Sequence, residues 1–346
     1  MAKTVNLALQ GGGSHGAFTW GVLDALLEDS RIEVGAISGA SAGAMNAVVF
    51  AEGFMERGRD GARQKLHDFW LSVSDEGILS PQQRGLFEAF FSACMPAMGP
   101  ALQWLDQITA YASPYEFNPL NLNPLRDHLV KMVDFDKLRA GNHFQLFIAA
   151  TNVHTGKGEI FRREILTADH VMASACLPRL FQAVVIDGTP YWDGGFAGNP
   201  PLWPLFYETQ CLDAIIVQIN PIARLETPRS AREIADRVNE ITFNGAMLAE
   251  LRAADFVRRL IDEGVLKGNK YRRENLHRIG GDGMLESFGA ASKSDVSWRF
   301  MRQLRDLGRE AAKAWLARNY DAIGKRGTID VAAMLETKIR NSQAVS

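Results

Sequence analysis

Cysteine is scarce in this sequence, with only Cys94, Cys176 and Cys211 among 346 residues. An odd number of cysteines with no metal-ligand spacing predicts neither a disulfide framework nor a zinc site. An excess of charge is also missing, since 38 basic and 40 acidic residues give a formal net charge of −2. A global field that attracts nucleic acid or an anionic membrane needs a larger imbalance. Nucleic acid is therefore not expected as a partner, and any peripheral membrane contact must be local.

Long hydrophobic runs are absent as well. Every apolar stretch is interrupted well before the roughly 18 residues that a membrane span requires. The opening Met1 to Gln10 runs directly into glycines, which leaves no room for the apolar core and cleavage site of a signal peptide. Hydrophobic residues make up 47% and charged residues 23%, as in folded globular proteins. These features predict a folded cytoplasmic protein.

Strand and helix patterns alternate over the first part of the chain. The predicted strands are 4–9, 32–37, 144–151 and 215–220, and the predicted helices of the first unit are 17–27 and 42 to about 50. Strand–helix alternation at this spacing is typical of a parallel sheet covered by helices. We therefore expect an α/β fold whose sheet continues to about residue 220.

Two regions depart from this alternation. Residues 81–125 are predicted to be a helical insertion, in which the apolar stretch from Leu86 to Tyr111 favours core or homodimer contact over a membrane lid, because it has almost no Lys or Arg. Residues 226–346 are predicted to form a mostly helical extension packed on the 1–225 domain. Its basic stretch from Lys267 to Arg278 could meet phosphate head groups, but a charge run of this kind is more typical of a solvated face.

A glycine run follows the first predicted strand. The sequence Gly11-Gly12-Gly13-Ser14-His15-Gly16 opens a helix, so its N–H groups can point at an anion with the helix dipole behind them. The run also satisfies the dinucleotide fingerprint G-x-G-x-x-G, which requires an acid at the end of the second strand. The only acid there, Glu33, lies near the beginning of the strand. An oxyanion hole is therefore favoured over a cofactor site or a purely structural turn.

A serine lies in the second strand-to-helix turn. The sequence Gly39-Ala40-Ser41-Ala42-Gly43 is G-x-S-x-G between a strand and a helix, the context of a nucleophile elbow. Flanking glycines leave space for the Ser41 hydroxyl to project above the sheet. Neighbouring parallel strands end at one edge, where ligands bind in open α/β sheets. Ser41 is therefore the predicted nucleophile.

The base is predicted to be a carboxylate. Six histidines lie among polar, loop or helix-surface residues, and none of them lies in a glycine-bounded turn at a strand end: His67, His128, His143, His154, His170 and His277. His277 is the best late candidate. Asp193 instead precedes Gly194 and Gly195 in a sharp turn, where a sheet strand should end at the same edge as Ser41. The alternative is an ordinary Asp-Gly hairpin turn. A carboxylate within hydrogen-bond reach of the serine can take its proton during attack.

In this order, the three motifs resemble the patatin-like phospholipase family, which has a glycine-rich oxyanion loop, G-x-S-x-G and a late D-G-G. Segments 149–156, 173–181 and 199–201 also look like the family, and the resemblance covers residues 4 to 220. The resemblance implies a three-layer α/β/α sandwich with a mainly parallel sheet and calcium-independent hydrolysis of lipid acyl esters.

The resemblance also assigns roles within the site. It implies a Ser41–Asp193 dyad, an oxyanion hole around Gly11, Gly12 and Gly13 to which Ala42 can add, and no cofactor or metal. One departure is His15, which stands where the family usually has Arg or Lys. Because neutral histidine predominates above a pKa of about 6.5, any anchoring by that cation is weaker or pH-dependent here.

Other functions share these residues. The same acyl-serine could form from a thioester or pass to an alcohol other than water, so acyl thioesterase and acyltransferase activities stay open. A lipid-binding module with a silent site is a further alternative, against which the presence of both Ser41 and Asp193 argues.

Overall fold

The computed structural model describes residues 2–77, 112–224, 226–267, 271–281, 283–285, 288, 292 and 295–335. Within them the strands are β1 (Lys3–Leu9), β2 (Ile32–Gly39), β3 (Gln145–Asn152), β4 (Gly158–Arg162), β5 (Val184–Ile186), β6 (Thr189–Asp193), β7 (Asp213–Gln218) and β8 (Asn275–Gly280). The helices are α1 (Gly16–Glu28), α2 (Ala42–Ser72), α3 (Pro114–Phe117), α4 (Pro124–Met132), α5 (Phe135–Ala140), α6 (Ala168–Ser174), α7 (Trp203–Glu208), α8 (Ala231–Asp262), α9 (Trp298–Asn319) and α10 (Val331–Leu335).

The strands form one mixed sheet with a parallel centre. Their order is β5-β6-β3-β2-β1-β7-β8, and β4 pairs with β3. Strands β3, β2, β1, β7 and β8 run parallel, whereas β4, β5 and β6 are joined by antiparallel pairs. The carboxyl ends of β2, β1, β7 and β8 therefore meet at one edge of the sheet.

Both faces of the sheet are buried. In β1, Leu7 and Leu9 belong to the larger apolar core beneath α1, α2 and α9, while Ala8 belongs to a second core with residues of α7, α8 and α10. This division follows from the alternation of side chains along a strand. The α/β/α sandwich with a mainly parallel sheet and additional helices near the carboxyl terminus is confirmed.

The helix after Ser41 is longer than its sequence suggests. It does not end near Phe50 but continues to Ser72, with a non-helical kink at Arg57 and Gly58. The kink separates an apolar first half from a charged second half, so the helical periodicity breaks between them. Beyond the kink, Phe69 and Trp70 are fully buried and hold the second half on the core.

The sheet does not end near residue 220, which corrects the sequence-based expectation. Strand β8 comes from the predicted helical extension and pairs with β7 in parallel, Asp213 opposite Asn275. Within the basic stretch beside it, Lys267 and Arg273 are exposed, whereas Arg272 donates to the carbonyl oxygens of Phe206 and Thr209. These hydrogen bonds fix the entry to β8.

Residues 81–111 of the predicted insertion, including Leu86 to Tyr111, lie outside the described residues. The remainder of the insertion contains α3 and the beginning of α4. No helix in the described ranges is both long enough and apolar enough to cross a membrane. The division into a 1–225 domain and a 226–346 extension stays a prediction, although the sheet draws strands from both.

Candidate active site

Ser41 lies on a strained turn at the carboxyl end of β2. Its φ of 53° and ψ of −124° place a non-glycine residue in the positive-φ region, and α2 begins at the next residue. Such strain persists only where the surroundings impose it and is common at catalytic centres. At Gly43 a Cβ atom would lie 2.1 Å from the carbonyl oxygen of Leu9, so the turn can press against β1 only with glycine there. The hydroxyl of Ser41 is thereby held at the sheet edge.

The main chain of Ser41 is tied to α6. Its N–H donates to the carbonyl and to the hydroxyl of Ser174, each at 3.1 Å. This N–H group is therefore already used in the folded protein. Ala42 is the first residue of α2, and an N–H group in the first turn of a helix has no intrahelical acceptor.

The glycine loop packs directly against the serine. A Cβ atom on Gly11 would lie 2.6 Å from the Cβ of Ser41, which leaves room only for hydrogen at that position. The N–H of Gly11 donates to Oδ1 of Asn199 at 2.6 Å, and Nδ2 of Asn199 donates to the Gly11 carbonyl at 3.1 Å. Gly11 therefore positions the loop, and its N–H is occupied. Gly12 caps the short 3-10 helix that begins at Gly13.

A network of buried amide side chains anchors this loop through hydrogen bonds. Nε2 of Gln10 donates to Oδ1 of Asn244 at 2.9 Å, and Oε1 of Gln10 accepts from the main-chain N–H of Asn220 at 2.9 Å. Nδ2 of Asn220 donates to the Gly11 carbonyl at 2.7 Å. Sequence reasoning missed Gln10, Asn220 and Asn244, and it noted Asn199 only within a family segment, because the partners are about 190 to 230 residues apart along the chain. The network anchors the glycine loop to β7 and α8.

Asp193 is the last residue of β6 and is fully buried. Its Oδ1 accepts the N–H of Gly195 at 2.7 Å, which fixes the carboxylate in the turn that Gly194 begins. Its main-chain carbonyl accepts the Thr151 hydroxyl at 2.7 Å. Among the described residues, Oδ2 of Asp193 has no hydrogen-bond partner of standard geometry. One carboxylate oxygen is thus held rigidly, and the other is available.

Burial dominates the electrostatics of Asp193. Loss of hydration raises the pKa of this carboxyl group to about 7, against smaller lowering effects from the Gly195 N–H and the Ser41 hydroxyl. The serine hydroxyl is therefore near enough to stabilise the carboxylate, although its hydrogen bond lacks standard geometry. Catalytic hydrogen bonds are often long before substrate binds. A carboxylate with this pKa is a better proton acceptor near neutral pH than an exposed aspartate.

The histidines hold other positions. His15 is buried, and its Nε2 lies 2.8 Å from the hydroxyl of Ser292. His277 lies in β8, fully buried, with Nε2 2.9 Å from Oδ1 of Asp213. The sequence pattern groups His277 with polar, loop or helix-surface residues, but it lies in a strand and is fully buried, with polar partners that come from Asp213 and Thr328. His170 is likewise buried, in the first turn of α6.

Metal ligands do not cluster in the part of the chain that the structure describes, where no group of three or more His, Cys, Asp or Glu could hold an ion. The site that the structure assembles consists of a strained serine, a buried carboxylate and the amide groups at two helix beginnings. This set suits nucleophilic acyl transfer, in which an alcohol attacks a carbonyl and the charge on the carbonyl oxygen is stabilised by N–H donors.

The family model described as "Patatin-like phospholipase" matches residues 7–206, which is more than half of the chain. Among solved structures, VipD from Legionella pneumophila matches with a TM-score of 0.39 and 17% sequence identity. That match covers 90% of this chain and 66% of the VipD chain, just under two thirds. No curated protein sequence matches.

Proposed function

We propose that this chain, which belongs to the patatin-like phospholipase family, is a serine hydrolase that cleaves lipid acyl esters through Ser41 and Asp193. Family membership supports lipid acyl hydrolase activity in general. The assignment of the dyad depends mainly on the buried Asp193 carboxylate beside the strained Ser41 turn. Burial raises the pKa of this carboxyl group, and its Oδ2 atom has no other hydrogen-bond partner among the described residues.

The first step forms the acyl-enzyme. Oγ of Ser41 attacks the ester carbonyl carbon while its proton passes to Oδ2 of Asp193. A base is most effective when its pKa lies near the working pH, and the pKa of about 7 meets that condition without a histidine. Gly195 keeps the carboxylate oriented because its N–H holds Oδ1.

Main-chain amides stabilise the oxyanion in this proposal. Gly12, Gly13 and Ala42 begin helical segments next to Ser41, so their N–H groups are the candidates. Gly11, expected from sequence to belong to this set, contributes by packing and positioning instead, because Asn199 takes its N–H. Loss of one oxyanion donor costs about 10²-fold or more in rate.

Asp193 returns its proton in each half of the cycle. Acylation ends when the tetrahedral intermediate collapses, the ester bond breaks and Asp193 gives the proton to the departing alcohol. Deacylation follows with water as the nucleophile. Asp193 then takes a proton from water, whose oxygen attacks the acyl-serine carbonyl, and the proton goes back to Ser41 as the fatty acid leaves. The cycle consumes one water and needs no further cofactor.

A fluorophosphonate probe with p-nitrophenyl esters of medium chain length tests this proposal. We expect labelling of the wild-type protein, and its loss in Ser41→Ala. Hydrolysis should be lost both in Ser41→Ala and in Asp193→Asn. Ser38→Ala is the matched control, since Ser38 is also buried and lies three residues earlier on β2. Labelling that survives in Ser41→Ala, or a folded wild-type protein that is neither labelled nor active, would contradict the proposal.

A further inference from the structure

Two fixed points enclose the candidate oxyanion donors Gly12 and Gly13. On one side, Gly11 is fixed by the two hydrogen bonds with a side-chain amide described above. On the other side, Ser14 is fully buried, and its hydroxyl donates to the main-chain carbonyl of Ser292 at 2.9 Å. Because an N–H group moves with the main chain on either side of it, the positions of the two donors depend on both points.

The residue after Ser14 contacts the same distant serine. Nε2 of the buried His15 lies 2.8 Å from Oγ of Ser292, and Oγ of Ser292 donates to the main-chain carbonyl of Phe288 at 3.0 Å. A hydroxyl group has one hydrogen, so in the contact with Ser292 it is Nε2 of His15 that donates. The neutral ring can make this bond. Ser292 therefore holds two consecutive residues of the glycine loop, one through its carbonyl and one through its hydroxyl.

Aromatic packing holds this contact in place. The ring centroid of Phe300, in α9, lies 6.2 Å from that of His15 and 5.3 Å from that of Phe288. Helix α9 in turn packs on α1, the helix that follows the glycine loop, because Trp298 stacks on the buried Trp20 with centroids 5.8 Å apart. The start of α9 and the segment before it are thereby fixed relative to the loop.

We propose that His15 and Ser292 are positioning residues for the oxyanion donors Gly12 and Gly13; this rests on the proposed function. Neither residue is assigned a contact with the reacting atoms. An oxyanion donor is effective only close to the place where charge develops, and a displacement of about 1 Å can cost about 10²-fold in rate. Ser292 lies outside residues 7–206, which the family model matches, so a later part of the chain completes the site.

Ser292→Ala removes the hydroxyl and leaves the carbonyl that holds Ser14. We expect kcat for a p-nitrophenyl ester to fall about 10- to 10²-fold and KM to stay within about threefold of the wild-type value, because the oxyanion forms only in the transition state. Ser292→Thr keeps a hydroxyl and should restore most of kcat. Ser74→Ala is the matched control, since Ser74 is fully buried just after α2 and its hydroxyl also donates to a main-chain carbonyl, that of Leu71, at 2.7 Å.

A double-mutant cycle tests whether His15 and Ser292 act through one hydrogen bond. His15→Phe keeps a ring against Phe300 and removes the Nε2 donor, so it should lower kcat about as far as Ser292→Ala does. The double variant His15→Phe/Ser292→Ala should be no slower than the slower single variant, because both changes remove the same bond. Rate losses that multiply in the double variant would show that the two residues act separately and would overturn the shared role.

Amide hydrogen exchange separates this inference from the proposed function. Exchange in residues 10–16, measured by mass spectrometry, should be faster in Ser292→Ala than in the wild type and unchanged in Ser74→Ala. If the wild type cleaves no ester but exchange becomes faster in this way, the hold of Ser292 on the loop stands and the proposed function fails. If the wild type is active and Ser292→Ala has the same kcat, the proposed function stands and the positioning role is overturned. An equal loss of kcat in Ser292→Ala and Ser74→Ala would assign the effect to general stability and would overturn it as well.

Discussion

Asp193→Asn should abolish hydrolysis and yet stabilise the fold at alkaline pH relative to wild type. In the folded protein burial raises the pKa of Asp193 to about 7, whereas the ordinary value of 3.8 applies in the unfolded chain. The folded state therefore keeps a proton that the unfolded state loses between about pH 4 and pH 7. Over this window the contribution of Asp193 to the free energy of unfolding falls as the pH rises.

The two pKa values set the size of the effect. At about 1.4 kcal/mol for each pKa unit, the cost of the buried carboxylate is about 2 kcal/mol at pH 5 and about 4 kcal/mol at pH 8. Asparagine is neutral at both pH values and can keep the hydrogen bond from Gly195. Its buried amide nitrogen adds a cost of about 1–3 kcal/mol if it finds no acceptor, but that cost does not vary with pH.

Urea unfolding of both proteins at pH 5 and pH 8 measures the difference. The free energy of unfolding of Asp193→Asn, relative to wild type, should increase by about 2–3 kcal/mol between the two pH values. Taking the difference cancels other groups that titrate in both proteins, such as Glu250, whose pKa burial also raises to about 7. Asp187→Asn is the control at an exposed turn. A gap that stays constant with pH would refute the reasoning about burial.

Three further perturbations test the site. The kcat/KM for a soluble ester should rise with pH through about 7 as Asp193 loses its proton, and a pH–rate profile that is flat from pH 5 to 9 would argue against this base. Gly43→Ala should destabilise the protein by about 2 kcal/mol or more, because the new Cβ would lie 2.1 Å from the Leu9 carbonyl oxygen. An unchanged urea concentration at the midpoint of unfolding would contradict that geometry. Asn199→Ala removes two buried hydrogen bonds to Gly11 and should lower kcat about 10²-fold. Circular dichroism should show that secondary structure is retained. A kcat equal to that of the wild type would show that the loop does not need this anchor.

The turns that carry Ser41 and Asp193 could be predicted because each one lies in a local pattern. Ser41 and Asp193 both lie in glycine-bounded turns at strand ends, and a few neighbouring residues are enough to indicate such turns. Strands β1, β2, β3 and β7 were predictable for the same reason, since hydrophobic periodicity is a local property.

The supporting residues could not be predicted in this way. Gln10 and Asn244 are 234 residues apart. No local sequence pattern indicates that their side-chain amides form a hydrogen bond. Strand β8 was missed because its polar residues are paired only in three dimensions: His277 with Asp213, and Arg278 with Gln218. Tertiary contacts therefore decided both the extent of the sheet and the anchoring of the glycine loop.

The anchoring of the glycine loop has a consequence for the timing of activity during synthesis. Residues 10–16 are made early, but Asn244 holds Gln10, and Ser292 contacts His15 from 277 positions later in the chain. At about 5–20 residues per second, the ribosome needs roughly 14–55 s to pass from His15 to Ser292. Over that interval the nascent polypeptide already carries Ser41 but not yet the residues that shape the loop beside it. The proposed activity at Ser41 therefore requires that Asn244 and Ser292 have been translated.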